Sequence, residues 1–83
     1  MKWTVKDHIR SFLFFKQNQN SKFYTHDLQN LSLAWFTKFN YRLGSPETYT
    51  REFRRLRLNK LIDVEKVKRK NKEQQWKIKE INI

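Results

Sequence analysis

Two histidines, each beside an aspartate, are the side chains here closest to a general acid–base pair: Asp7-His8 and His26-Asp27. Adjacent helical positions point about 100° apart, so neither couple forms a dyad. Asp7 reads instead as a helix-start charge and His8 as a solvent-facing imidazole. The chain has no cysteine, no glycine-rich phosphate loop and no acids paired at metal-binding spacing. The expectation is a protein with no catalytic residues, metal or cofactor.

What the sequence concentrates is guanidinium. "SPETYTREFRRLRLNK", residues 45–60, places Arg51, Arg54, Arg55 and Arg57 around the single acid Glu52. A second run, Lys66, Lys68, Arg69, Lys70 and Lys72, has no acid inside it. An arginine fork grips a phosphate or pairs with two acceptors on guanine, and clustered lysines neutralise phosphates. With a net charge of +11 over 83 residues, the expected partner is a polyanion. A merely solvating helix face would alternate its signs, and a lysine-rich hairpin can also protect a sheet edge.

These groups need elements to hold them. Thr4 and Asp7 form a capping-box variant ahead of Val5, Ile9, Phe12 and Leu13, which recur at helical spacing, so a first helix is expected over about 5–17. "QNQNSK" reads as a loop and "KFYT" as a short strand. Thr25 is the expected N-cap of a second helix, 26–39, with Leu28, Leu31, Trp35 and Phe39 on one stripe. Gly44, the single glycine, is expected at a positive φ. Ser45 as N-cap, Pro46 at the first helical position and Glu47 behind it open a third helix, 46–58, which Asn59 is expected to close in the left-handed conformation.

On that third helix Tyr49, Phe53 and Leu56 lie within about 60° of one another, while Glu47, Thr50, Arg51, Arg54 and Arg55 face the other way. Ile62 and Val64 then alternate before a break at Val67. Trp76 and Ile78 alternate with Lys77 and Lys79, and residues 68–73 form the tip of a hairpin over about 61–81. Trp76, Tyr49, Phe53, Trp35 and Phe12 are expected in the core. No linker or repeat divides the chain, so 1–83 is one α+β domain.

The order helix, strand, helix, helix, strand, basic hairpin, strand resembles the winged helix-turn-helix superfamily. "LGSPETYTREFRRLRLNKLIDV" is similar to its run from turn through recognition helix into the first wing strand, and "WKI" to the returning strand. The resemblance implies that Thr48, Thr50, Arg51, Arg54 and Arg55 enter the major groove of double-stranded DNA. It implies too that Lys68, Arg69, Lys70 and Lys72, on the wing, hold the flanking backbone. Thr50 and Arg54 stand where the Z-form nucleic-acid binders of that superfamily carry Asn and Tyr, so their signature is missing. The implied role is a transcriptional regulator or a replication or recombination accessory factor.

The alternative is a winged helix that docks an acidic protein such as polymerase or another host factor. Phe14 and Leu33 fall off their helices' apolar stripes, with Trp3, Phe36 and Tyr41 near them in sequence, and are expected to serve a homodimer or protein partner. Asp7 and His8 interrupt the N-terminus where an export signal needs apolar residues, and the longest apolar run is "FLFF". The expectation is no membrane and a cytoplasmic setting, in a nucleoid or host-cell interior. From a lysine- and asparagine-heavy composition with one alanine and one glycine, the expected source is an AT-rich genome such as that of a phage, plasmid or low-GC bacterium.

Overall fold

The computed structural model describes residues 3–67 and 74–83. Three helices and three strands follow in the order α1 (Val5–Gln17), β1 (Lys22–Tyr24), α2 (Thr25–Phe39), α3 (Pro46–Leu58), β2 (Ile62–Val67) and β3 (Gln75–Ile81). The class is α+β. Each helix start is set by local chemistry. Thr4 Oγ1 accepts the Asp7 N–H at 3.2 Å and Asp7 Oδ2 accepts the Thr4 N–H at 3.0 Å, closing the capping box. Those bonds from Thr4 hold the Asp7 carboxyl below its ordinary range.

α2 starts one residue earlier than expected. Asp27 accepts the Tyr24 N–H at 2.8 Å, so Tyr24 occupies the N-cap position. Thr25 plays a different part, because its hydroxyl receives the Trp76 indole N–H at 2.9 Å. That bond satisfies the one polar atom of a nearly buried indole and ties the start of α2 to the last strand.

Ser45 caps α3 by accepting the Thr48 N–H at 3.2 Å, with Pro46 in the first turn. The helix closes in a Schellman motif one residue later than expected. Asn59 keeps φ −88° and bonds its N–H to the Arg55 carbonyl; Lys60, at φ 58°, takes the left-handed position. Lys60 N–H then reaches the Arg57 carbonyl at 3.1 Å and Leu61 N–H the Leu56 carbonyl at 3.0 Å.

Gly44 does not adopt a positive φ; that conformation falls to Ser21, Asn40 and Lys60. Its lack of a side chain is needed for space. A Cβ there would lie 2.8 Å from Val5 Cγ2 and 3.1 Å from Thr48 Cγ2, so the glycine lets α1 and α3 meet across the turn. The buried Ser32 hydroxyl donates to the Gly44 carbonyl and fixes that turn to α2.

The sheet is antiparallel in the order β1-β3-β2. Phe23 of β1 faces Trp76, and Ile62 of β2 faces Ile81, with a register shift between Asp63 and Val64. The alternation of β2 breaks before Val67, which is half-buried and closes the strand opposite Gln75. One core joins the layers: Ile9, Leu13, Phe23, Leu28, Tyr49, Phe53, Leu56, Ile62, Trp76 and Ile78 are buried. Phe53 stands at its centre, edge-to-face with Phe23 at 5.6 Å and with Trp76 at 5.2 Å. The stripe expected on α3 is thus the inner face of that helix, held from both the helical and sheet sides.

Candidate nucleic-acid interface

With Tyr49, Phe53 and Leu56 fixed inward, helical geometry turns Arg51, Arg54 and Leu58 outward along one stripe. All three are exposed, and Leu58 keeps 72% of its surface accessible. Arg51 and Arg54 make no ion pair among the described residues.

The neighbouring side chains are differently engaged. Arg55 is exposed but forked onto Glu52, with Nε 3.0 Å from Oε2 and Nη2 against Oε1. That bond raises the Arg55 pKa and neutralises its charge locally. Arg57 is folded inward, its guanidinium 4.5 Å from the Trp76 ring centre and 4.9 Å from that of Phe53. Burial, and then the charge of Arg54, lowers its pKa. Its Nε is buried without a hydrogen-bond partner among the described residues. Arg57 therefore acts as a cationic cover on the aromatic core.

Both threonines face partly back into the helix start. Thr48 Oγ1 lies 2.9 Å from Ser45 Oγ, and Thr50 donates to the Pro46 carbonyl at 3.2 Å. Each is half-buried, so their hydroxyls brace the N-terminus of α3. Of the five residues expected on this helix face, the structure leaves Arg51 and Arg54 uncommitted. Lys68, Arg69, Lys70 and Lys72 fall outside the described residues, in the connection from β2 to β3.

His8 is not solvent-facing. It is half-buried, with Nδ1 2.6 Å from the hydroxyl of the buried Tyr49 and its ring edge-on to that phenol. Burial lowers the His8 pKa and pushes that of Tyr49 up to about 12, so it favours the neutral form of each, joined by a hydrogen bond. This bond clamps α1 to the inner face of α3. The hydrogen bond between residues 41 apart in sequence carries no periodic signal that could have found it.

A second surface is richer in aromatics than the sequence pattern implied. Phe39, expected on the buried stripe of α2, is 44% exposed at the last residue of that helix. It meets Trp35 at 4.4 Å between ring centres, and Trp3 and Tyr41 flank Trp35 at 6.0 and 6.1 Å. Phe14 is half-buried beneath the Arg10 guanidinium at 5.2 Å, and Leu33 is 53% exposed. Neither lines the cavity these rings enclose.

Among the described residues no group of three His, Asp or Glu side chains is placed to hold a metal ion. No helix among them is long and apolar enough to cross a membrane. Compared with known family models, curated proteins and solved structures, the chain matches none.

Proposed function

We propose that the chain is a winged-helix protein that binds double-stranded DNA, as a transcriptional regulator or a replication or recombination accessory factor. The order of helices and strands and the central place of β3 support the winged-helix reading. α3 is the element that enters the major groove. Arg51 and Arg54 reach phosphates or guanine edges, and Leu58, on the same stripe, meets a thymine methyl. Thr48 and Thr50 hold the start of the helix in place. Lys68, Arg69, Lys70 and Lys72 supply a second set of phosphate contacts from the connection between β2 and β3.

The observation that carries this reading is the pair of exposed arginines, without an ion pair among the described residues, on a helix whose opposite face is locked into the core. A helix so fixed has little backbone freedom left to lose on binding, although its exposed arginine side chains still give up rotamer freedom. The test is anisotropy of a labelled random-sequence duplex at two salt concentrations, comparing the wild type with Arg51→Ala/Arg54→Ala and Lys70→Ala/Lys72→Ala. Salt-steep binding weakened by both pairs is expected. Binding indifferent to Arg51 and Arg54 would assign their face to another partner, an acidic protein first.

A further inference from the structure

The aromatic end of α1 and α2 carries chemistry that the arginine face does not use. Trp3, Trp35, Phe39 and Tyr41, with His8 and Ser11, line a cavity of about 840 Å³. That volume lies in the range of ligand pockets. Trp3, Phe39 and Tyr41 keep 42, 44 and 54% of their surfaces accessible and lie together around Trp35, whereas Tyr49, Phe23, Phe53 and Trp76 are buried in the core. Grouped exposed rings of this kind mark a binding surface.

Charge and polar atoms narrow the occupant. Lys38 lines the cavity with its ammonium 5.4 Å from the Phe39 ring centre, and Arg42 sits 5.7 Å from that of Phe36. No acid among the described residues lines the cavity; Asp7, next to His8 in sequence, is engaged by the N–H and hydroxyl of Thr4. A cation is therefore repelled and an anion drawn in. Ser11, Tyr41 and His8, whose Nδ1 is anchored on Tyr49, bring polar groups to the otherwise apolar lining. An apolar peptide anchor would leave those groups unpaired, whereas the edge of a nucleobase offers them donors and acceptors.

We propose that this cavity takes an unpaired nucleobase of single-stranded DNA, stacked against Trp35, Phe39 and Tyr41, with the adjoining phosphate held by Lys38. The choice of DNA rests on the reading of the arginine face; the stacking does not. The two surfaces are built from different residues, so duplex and single strand are separable ligands. The cations beside the rings supply the electrostatic part of single-strand binding, and the rings supply the part that tolerates sequence.

The experiment titrates the full chain against labelled oligo(dT) and, separately, a labelled duplex. Phe39→Ala/Tyr41→Ala is compared with Arg51→Ala/Arg54→Ala, and circular dichroism verifies that each variant is folded. Removing the two rings is expected to weaken oligo(dT) binding about 5- to 150-fold and leave duplex affinity within about twofold. Oligo(dT) is also expected to quench the tryptophan fluorescence of the wild type through Trp3 and Trp35. An oligo(dT) affinity unchanged by ring removal overturns the inference, whatever the duplex does. Duplex affinity that Arg51→Ala/Arg54→Ala leaves unchanged overturns the reading of the arginine face and leaves this one standing. A glutamate-rich peptide bearing one tryptophan that binds where oligo(dT) does not would assign the cavity to a protein and overturn it. An oligo(rU) bound far more tightly than oligo(dT) would overturn the choice of DNA.

Discussion

Glu52 offers the sharpest test of the proposed contact between α3 and DNA. Four arginines crowd this helix, but Arg55 is forked onto Glu52 and Arg57 lies over Trp76 and Phe53, so Arg51 and Arg54 are the two free to meet phosphates. Each phosphate neutralised contributes about 0.9 to the slope of log K against log salt. Arg51→Ala/Arg54→Ala should therefore lower that slope by roughly 2, and Arg55→Ala by much less than either single change. Glu52→Gln reverses the logic. It removes the acid that holds Arg55, and the freed guanidinium should steepen the slope by up to about 0.9 and tighten duplex binding. Deleting any acid tightens binding somewhat, so the control is Glu80→Gln, at the end of β3 farthest from the β2–β3 connection. Anisotropy titrations across a series of salt concentrations read both slope and affinity. If Glu52→Gln matches Glu80→Gln while Arg55→Ala is as damaging as Arg51→Ala, then Arg55 leaves Glu52 on binding and the division of the arginines is refuted.

Gly44→Ala should destabilise the fold by about 1–3 kcal/mol, because the new methyl meets Val5 and Thr48 at close range; an unchanged urea midpoint would count against that packing. The His8–Tyr49 pair makes stability depend on pH at both ends. His8 has a lowered pKa when folded, so its contribution is complete above the unfolded value near 6.5 and is lost as pH falls below it. Tyr49, raised to about 12, contributes fully below pH 10 and progressively less above it, by about 1.4 kcal/mol at pH 11. Tyr49→Phe should flatten the alkaline limb of a urea-denaturation profile, and a limb that stays as steep would show that the phenol is not the group responsible.

Periodicity made the inner faces legible and left the outer ones undivided. Tyr49, Phe53 and Leu56 share a direction on any helix, and Ser45-Pro46 marks where that helix begins, so the core side of α3 could be read from spacing alone. Phe39 obeys the same spacing but is exposed, because a stripe specifies direction and not how far the neighbouring elements extend. Gly44 and Thr25 misled for a related reason: their roles are set by Val5, Thr48 and Trp76, partners that only the tertiary fold brings near. The same limit governs charge. Arg51, Arg54, Arg55 and Arg57 are one residue type within seven positions, and the fold divides them into two cations with no ion pair among the described residues, an ion-paired one and a cover over the core. A net charge of +11 is thus an upper bound on what an anionic partner meets at one face. Long-range attraction uses the whole charge, whereas the salt dependence of the bound complex counts the phosphates actually neutralised. The difference between those two quantities is what distinguishes a basic protein held near DNA from one that reads it through α3.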